Sequence, residues 1–252
     1  MAAEVRGCVA LVTGGNRGIG EAFVSELLAG GASKVYCGAR TPADVPRRLR
    51  DAGAVPVPLD ITDLASVTAA AGTCGDVTVL VINAGFHGRE RLVRTDHPEI
   101  ARQEMEVNYF GTLNMIRAFA PVLERTGGGA IVNVLSVAGA LPTAFMGGYS
   151  TAKAAALFLT TIARAELDAQ GTSVTALVVG SVDTRMADHV DGAKERPVDI
   201  ARVGLRAMAR GERTVDTDRM AFESRARYVL DPVRWERNMA KVMRDGELRT
   251  GR

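Results

Sequence analysis

The chain has 252 residues, of which 47% are hydrophobic and 24% are charged, and its formal net charge at pH 7 is +2. A chain of this size and composition buries a core large enough to need neither a disulfide nor a metal for support. The small net charge argues against a nucleic-acid-binding protein, and the lack of an apolar run of roughly 18 residues argues against a membrane-spanning helix.

Apolar, strand-like stretches alternate with longer helical patterns along the chain. The strand-like stretches are Cys8–Thr13, Lys34–Gly38, Ala54–Pro58, Val77–Asn83, Ala130–Leu135 and Ser173–Val179. Their almost continuous Val, Ile and Leu content is typical of strands that helices cover on both faces. The helical patterns are Ile19–Ala29, Asp63–Ala71, Glu99–Arg125 and Ala152–Gln170. This alternation predicts an α/β fold with a doubly wound, parallel, Rossmann-like sheet in a single domain spanning residues 1–252.

The segment after Met186 follows a different pattern. It predicts a helix at Asp199–Arg210, a short edge strand at Arg213–Thr217 and a last helix that begins at Asp231-Pro232. An apolar stripe runs along that last helix, formed by Trp235, Met239 and Met243. The stripe packs either on its own domain or on a neighbouring subunit. We expect a short substrate lid at about residues 185–200 and a variable, helical tail at about residues 213–252.

The cysteines and histidines do not form a metal-ligand pattern. Cys8, Cys37 and Cys74 are far apart in the sequence and show no CxxC spacing, and the three histidines add no ligand spacing. We therefore expect free thiols that act as small buried hydrophobic groups, and no structural metal. The N-terminal residues do not resemble a signal peptide, so we expect a cytoplasmic protein.

A glycine-rich turn connects the first strand-like stretch to the first helical pattern. It comprises Thr13, Gly14, Gly15, Asn16, Arg17, Gly18, Ile19 and Gly20. Glycines allow the backbone to turn tightly and to approach a pyrophosphate, and the N-terminus of the following helix offers unpaired N–H groups to the anion. The strand–turn–helix setting predicts a nucleotide-binding loop, although a glycine-rich turn can also be purely structural.

The end of the second strand-like stretch predicts which nucleotide binds. NAD-selective sites usually carry an Asp or Glu there, which accepts a hydrogen bond from the ribose 2′-hydroxyl. This chain has Arg40 at that place, and Arg17 lies within the glycine-rich turn. Two guanidinium groups favour a 2′-phosphate, so the sequence predicts NADP(H), unless both arginines are simply solvated surface charges.

Tyr149 and Lys153 stand one helical turn apart in a helical stretch, and Ser136 follows a strand-like stretch upstream. An unperturbed tyrosine has a pKa near 10, and a neighbouring ammonium would lower it toward the range useful for proton transfer. Ser136 lies where parallel sheets bind ligands, and its hydroxyl can orient a carbonyl oxygen. No GxSxG motif supports a serine hydrolase. The pattern predicts a proton-transfer group, although a surface Tyr and Lys pair is the ordinary alternative.

Taken together, these motifs resemble those of the short-chain dehydrogenase/reductase family, from Cys8 to about Arg210. The resemblance implies that Ser136, Tyr149 and Lys153 are catalytic, together with Asn108, which in this family binds a water molecule that connects the lysine to bulk solvent. It also implies several cofactor contacts besides the glycine-rich turn and Arg40. These are Asp60 and Ile61 after the third strand, Asn83, Ala84 and Gly85 after the fourth, Tyr149 and Lys153, and Gly180, Val182 and Thr184 along the nicotinamide.

Two features depart from the family pattern. Val179 stands where the family has a proline, which affects the shape of the nicotinamide wall. The charged C-terminal tail replaces the final strand through which many relatives form tetramers. The resemblance still implies a homo-oligomer, either a dimer built on the helices of Asn108 and Tyr149 or a tetramer.

The expected activity is that of an NADPH-dependent carbonyl reductase, which is reversible as an alcohol dehydrogenase. The residues expected to contact the substrate are mostly apolar, which favours a bulky or cyclic ketone, aldehyde or alcohol. They are Phe86, His87, Leu141, Phe145, Met146 and Met186. His87 either orients a polar substituent of the substrate or is an ordinary surface histidine. A non-catalytic NADP-binding regulator is the alternative function, which the complete proton-transfer set disfavours. Nucleic-acid binding by the tail is disfavoured because its 16 basic and 12 acidic residues from Arg185 onward are interspersed.

Overall fold

The structure, a computed structural model, describes residues 3–250, with side chains as far as residue 245. Residues 1, 2, 251 and 252 of the predicted domain and tail lie outside the described residues. The strands are β1 (Val9–Thr13), β2 (Lys34–Ala39), β3 (Ala54–Pro58), β4 (Val79–Ile82), β5 (Gly129–Val134), β6 (Thr172–Val178) and β7 (Thr214–Asp216). They form one seven-stranded sheet in the order β3-β2-β1-β4-β5-β6-β7, and every pair is parallel. The predicted doubly wound sheet is confirmed, and each strand end lies within two residues of its predicted place.

The helices lie on both faces of this sheet. They are α1 (Gly18–Ala29), α2 (Arg47–Asp51), α3 (Leu64–Thr73), α4 (Glu99–Met105), α5 (Gly111–Arg125), α6 (Val137–Ala140), α7 (Gly147–Glu166), α8 (Pro197–Ala209), α9 (Arg219–Leu230) and α10 (Pro232–Thr250). Successive residues of a strand point to opposite faces. In β1, Ala10 and Val12 accordingly join a core with α1 and α8, whereas Leu11 joins a second core with α3, α5 and α7.

Several helices differ from their predicted form. The helix predicted at Glu99–Arg125 is interrupted by a π-helical turn at Glu106–Phe110, which contains Asn108 and separates α4 from α5. The helix predicted at Ala152–Gln170 begins earlier, at Gly147, so it includes Tyr149 as well as Lys153, and it ends at Glu166. Short or largely polar helices were not predicted, because they lack a long apolar period; these are α2, α6 and α9.

The last helix begins as predicted. The Asp231 carboxylate accepts a hydrogen bond from the N–H of Arg234 at 2.9 Å, and Pro232 occupies the first turn. The start of its apolar stripe packs on its own chain, because Trp235 contacts Tyr228 of α9 edge to face, with ring centres 6.3 Å apart. Both rings border a small core that contains Val137 and Leu141. Helices α9 and α10 therefore pack beside the end of β5.

The three cysteines are free and buried, as the sequence predicts. Burial raises the pKa of Cys8 to about 11 and the pKa of both Cys37 and Cys74 to about 12. Cys8 and Cys37 lie in the core beneath α1, whereas Cys74 lies in the core on the opposite face. Among residues 3–250 no group of three or more metal-ligating side chains is close enough to hold an ion. None of the helices within that range is long and apolar enough to cross a bilayer.

Candidate active site

The carboxyl ends of the parallel strands all open on one edge of the sheet. Each candidate residue comes after one of these strands, so along this edge the candidates lie in the order of the strands. Neighbouring strands lie about 4.8 Å apart. From β3 to β7 the order is Asp60, Arg40, the glycine-rich turn, Asn83–Gly85, Ser136, Gly180 and Asp218. The glycine-rich turn after β1 and Asn83 after β4 lie on either side of the switch point, where the order of the strands reverses. From β1 the chain first adds β2 and β3 on one side, and then β4 to β7 on the other. Ligands bind at such a point in open α/β sheets.

The glycine-rich turn has the backbone of an anion cradle. Gly14 and Gly18 have φ angles of +61° and +56°, a region that side chains disfavour. A Cβ atom on Gly20 would overlap the carbonyl oxygen of Gly14 and the side-chain amide of Asn83. Helix α1 begins here, and the Arg17 side chain makes no capping hydrogen bond to its first N–H groups. These N–H groups and the positive end of the helix dipole fit a phosphate.

Thr13 and Asn83 connect the two loops at the reversal point. The Thr13 hydroxyl accepts hydrogen bonds from the N–H groups of Asn83, at 2.9 Å, and Ala84, at 3.0 Å. The Asn83 amide donates to the carbonyl oxygens of Thr13 and Gly14 at 3.1 and 3.2 Å. Both residues therefore act in the structure as loop supports.

Arginines gather near the glycine-rich turn, on the side of β2. Burial lowers the pKa of Arg17, and the neighbouring guanidinium groups of Arg185 and Arg40 lower it further, whereas Asp44 raises it. Arg48, which also lines this region, forms an ion pair with Glu21. Cations that lie close together repel one another, and an anion that binds between them relieves this repulsion. Sequence reasoning identified Arg17 and Arg40 but missed Arg185, which is distant in the chain.

Ser136, Tyr149 and Lys153 come together where β5 meets α7. Ser136 caps the short helix α6, and its hydroxyl oxygen accepts a hydrogen bond from the N–H of Ala138 at 3.2 Å. Its side chain is also near enough to the Tyr149 phenol to affect the pKa of that phenol. The Lys153 ammonium donates to the Val134 carbonyl oxygen at 3.1 Å and lies 5.7 Å from the centre of the Tyr149 ring. All three side chains are buried, so the pair is not an ordinary surface pair.

Burial controls the pKa values of this group. Burial raises the pKa of Tyr149 to about 12; the hydrogen bond with Ser136 lowers it in part, and the Glu104 carboxylate raises it. Burial also lowers the pKa of Lys153 to about 8, so the side chain is still mostly an ammonium at pH 7. The expectation that Lys153 lowers the pKa of Tyr149 is therefore not what the structure shows. A phenol with a raised pKa keeps its proton at neutral pH, and it is a weaker acid than a free phenol.

Asn108 lies behind this group and is completely buried in the π-helical turn. Its side-chain amide donates to the carbonyl oxygens of Phe86, at 2.7 Å, and Glu104, at 2.8 Å, and its Oδ1 accepts from the N–H of Phe86 at 3.2 Å. The side chain therefore holds the loop after β4. The backbone carbonyl of Asn108 accepts a hydrogen bond from the Thr112 hydroxyl at 2.9 Å, and the relay water at Asn108 stays a prediction.

Glu104 is a buried acid that sequence reasoning missed. Its Oε1 accepts a hydrogen bond from the N–H of Gly88 at 2.8 Å. Burial raises its pKa, the N–H groups of Gly88 and Tyr149 lower it, and the charge of Glu90 raises it. A Cβ atom on Gly148 would lie 2.6 Å from its other oxygen, so Glu104 also needs that glycine. Charged residues in helices are usually exposed, and only the glycine pair before Tyr149 hints at a buried neighbour.

The segment after β6 is held by Asp218, another residue that was missed. The N–H of Gly180 and the Thr217 hydroxyl donate to Asp218 Oδ2 at 2.7 and 2.9 Å. The other carboxylate oxygen accepts from the N–H of Ala221 at 2.9 Å and so caps α9. Val179, which replaces the family proline, is buried in the core. Asp218 therefore ties the predicted nicotinamide segment to the C-terminal helices.

The C-terminal helices add an apolar wall on the far side of Ser136. The Trp235 indole N–H donates to the Pro142 carbonyl oxygen at 2.8 Å, which fixes α10 against the Leu141–Met146 segment. Trp235, Met239 and Met220 line the same cavity as Leu141 and Phe145. Sequence reasoning predicted the stripe of α10 but not its place at the site, because that place depends on a contact 93 residues away in the chain.

One cavity of about 2020 Å³ joins these regions. It is larger than the few hundred to 1,000 Å³ typical of a single small ligand, so it has room for a dinucleotide and a second molecule. The predicted site residues that line it are Gly14, Asn16, Arg17, Gly18, Ile19, Arg40, Asp60, Ile61, Asn83, Ala84, Gly85, Phe86, His87, Ser136, Leu141, Phe145, Met146, Tyr149, Lys153, Gly180, Val182, Thr184 and Met186. Thr13, Gly20 and Asn108 do not line the cavity and support it from behind.

Comparison with known proteins identifies the family. The family model of the short chain dehydrogenases matches residues 8–195. A crystal structure of a short chain dehydrogenase from Burkholderia cenocepacia J2315 in complex with NADP is 39% identical and superposes with a TM-score of 0.87, covering 94% of this chain and 98% of that one. The chain therefore belongs to the short chain dehydrogenases, which are oxidoreductases that act on hydroxyl and keto groups.

Two curated relatives show how far the similarity extends. Cis-4-hydroxycyclohexanecarboxylate dehydrogenase of Sinomonas cyclohexanicum is 34% identical over 232 residues, which cover 89% of this chain and 93% of that protein. Short chain dehydrogenase tazN of Aspergillus terreus is 35% identical over 176 residues, which cover 65% of this chain but only 39% of that longer protein. The first similarity therefore extends over nearly the whole of both proteins, and the second over part of each.

Proposed function

We propose that this protein is an NADP(H)-dependent carbonyl reductase, reversible as an alcohol dehydrogenase, that acts on an apolar and cyclic ketone or alcohol. The observation that carries the proposal is the buried group of Tyr149, Ser136 and Lys153 in the cavity that also contains the glycine-rich turn. A purely structural Tyr and Lys pair would not need to open into the same cavity as the glycine-rich turn.

The cofactor assignment depends on charge. Arg40 directly follows β2, at the place of the acid that NAD-selective sites use, and Arg17 and Arg185 lie near it. Their guanidinium groups suit a 2′-phosphate, which they can bind through charge-assisted hydrogen bonds. The complex of NADP with the similar Burkholderia protein supports the same choice.

Each residue of the group then has a role in reduction. Bound NADPH would supply the hydride to the carbonyl carbon. The Ser136 hydroxyl orients the carbonyl oxygen, and Tyr149, which is protonated at neutral pH, donates its proton to that oxygen. Lys153 holds the nicotinamide ribose. Asn108, with a bound water molecule, would return the proton to Tyr149.

The substrate assignment depends on the apolar lining. Leu141, Phe145, Met146, Trp235 and Met239 line the cavity beyond Ser136, where charged groups of a sugar phosphate would lose their hydration. The name of the Sinomonas relative, which describes a hydroxycyclohexane acid, agrees with a ring-shaped substrate. A lid at residues 185–200, a homo-oligomer and a cytoplasmic location stay predictions from the sequence.

The test is consumption of NADPH with a panel of ketones, aldehydes and cyclic diketones. Tyr149→Phe should lower kcat by roughly 10²- to 10⁴-fold and leave the Kd for NADPH unchanged, because the phenol hydroxyl acts as the acid. Tyr36→Phe is the matched control, since Tyr36 lies in β2 and its hydroxyl donates a hydrogen bond to Asp76, away from the cavity. Full activity of Tyr149→Phe would refute the catalytic role. Binding of NADPH with no turnover of any carbonyl would instead support the non-catalytic regulator.

A further inference from the structure

His87 lies in the cavity next to the proposed acid. It follows the Asn83–Gly85 loop after β4, and its ring centre is 4.9 Å from that of Tyr149, with the two planes tilted by 42°. The His189 ring lies on another side, at 6.0 Å. His87 is half-buried, so the alternative of an ordinary surface histidine does not describe its place.

The Nε2 atom of His87 is buried and has no hydrogen-bond partner within the described part of the chain. Buried polar atoms are nearly always paired, because an unpaired one loses its hydration without compensation. Within the same part of the chain, only two other side-chain atoms share this condition, Glu104 Oε2 and Ser181 Oγ. His87 and Ser181 both line the cavity, so two of the three unpaired atoms belong to residues of the cavity wall.

The imidazole is a neutral group. Burial lowers the pKa of His87 to about 4, and the nearby charges of His189 and Arg89 lower it further. A neutral imidazole offers a hydrogen bond as donor or acceptor without attracting a counterion. It therefore suits a neutral oxygen, such as a hydroxyl or a second carbonyl, better than a carboxylate.

We propose that His87 recognises a second oxygen of the substrate, so that this reductase prefers ketones with a hydroxyl or carbonyl oxygen a few bonds from the reacting carbonyl. This inference rests on the proposed function and narrows its substrate class to cyclic hydroxy ketones and diketones. His87 determines specificity, whereas Tyr149 and Ser136 carry out the reaction on any ketone that fits.

The experiment compares cyclohexanone with 2-hydroxycyclohexanone and 1,2-cyclohexanedione, with NADPH, in the wild type, His87→Leu and His87→Gln. His87→Leu should lower kcat/KM for the two-oxygen ketones by roughly 10- to 100-fold, the usual effect of losing a hydrogen bond in a buried site. Its kcat/KM for cyclohexanone should stay within about threefold, because that substrate offers no second oxygen. His87→Gln should recover part of the loss, since its amide nitrogen reaches a place similar to Nε2.

The design separates specificity from structural damage. The ratio of two substrates within one variant does not depend on the amount of active protein, so partial misfolding cannot imitate the effect. His97→Leu is the matched control, because His97 is an exposed loop histidine beside Glu99 and should leave every ratio unchanged.

Two outcomes would overturn the proposal in different ways. Equal losses for cyclohexanone and for the two-oxygen ketones would give His87 only a packing role against Tyr149, while the proposed reductase activity would stand. A wild type that reduces no carbonyl compound with either NADPH or NADH would instead refute the proposed function, and the inference would fail with it.

Discussion

The two sides of the cavity are built in different ways. On the β1–β3 side, the glycine-rich turn and Arg40 directly follow their strands, so a few neighbouring residues set the geometry. On the β5–β7 side, the wall depends on contacts between distant segments, such as Trp235 with Pro142 and Asp218 with Gly180. Neighbouring residues therefore form most of the glycine-rich side, with Asn83 as a distant support, whereas the apolar wall depends on contacts across the whole fold. Variants on either side should therefore fail differently.

Gly20→Ala should have the largest effect on the glycine side. The new methyl group would overlap the Gly14 carbonyl and the Asn83 amide, so the turn must move. Its N–H groups would then no longer point toward the phosphate. We expect the Kd for NADPH to rise by more than about 100-fold, because several hydrogen bonds to a charged group are lost. Titration of NADPH fluorescence measures this.

Gly72→Ala is the control for that substitution. Gly72 lies in α3, and a Cβ atom there would meet no atom within 4 Å. It should leave the Kd unchanged and stabilise the fold by about 0.5–1 kcal/mol. Unaltered NADPH binding by Gly20→Ala would show that the turn does not cradle the phosphate.

Arg40→Asp should change which cofactor binds. The substitution places an acid after β2, so we expect the Kd for NADPH to rise by about 10- to 100-fold while NADH binding is kept or improved. Arg50→Asp, on the exposed surface of α2, is the charge-matched control. Parallel titrations with both cofactors decide the matter, and equal weakening of the two would contradict the assignment.

Asp218→Ala should weaken the β5–β7 side through stability instead of cofactor charge. It leaves the Gly180 N–H and the Ala221 N–H without their partner, so we expect a loss of about 2 kcal/mol and a fall in Tm of roughly 4–8 °C. Asp63→Ala removes a cap of α3 with one hydrogen bond, to Ala65, and should cost only about 1 kcal/mol. Thermal unfolding compares them, and equal losses would show that Asp218 acts only as a helix cap.

Trp235→Phe should have the smallest effect. It keeps an aromatic ring in the wall but removes the hydrogen bond to the Pro142 carbonyl, which is partly open to solvent. We expect KM for a cyclic ketone to rise about 2- to 10-fold, with an unchanged Kd for NADPH. Steady-state kinetics measures this, beside Val233→Ala as a control on the exposed face of the same helix. A change in NADPH binding instead would mean that the two sides are not independent.

The sequence predicted the sheet and the glycine side well for the same physical reason. Continuous apolar strands and the φ freedom of glycine leave direct signals in neighbouring residues. The residues that were missed act across the fold: Glu104 reaches Gly88 and the start of α7, and Arg185 reaches Arg17. The interruption of the long helix at Asn108 was also missed, because a π-helical turn depends on the loop bonds that Asn108 makes and not on its neighbours.

The three buried thiols can serve as built-in probes of local unfolding. Because Cys8 and Cys37 lie under one helical layer and Cys74 under the other, an alkylating reagent reaches each only when its layer separates from the sheet. Their raised pKa values keep them protonated and unreactive in the folded state. The order in which the three are alkylated in dilute urea would therefore reveal which layer detaches first, without any added label.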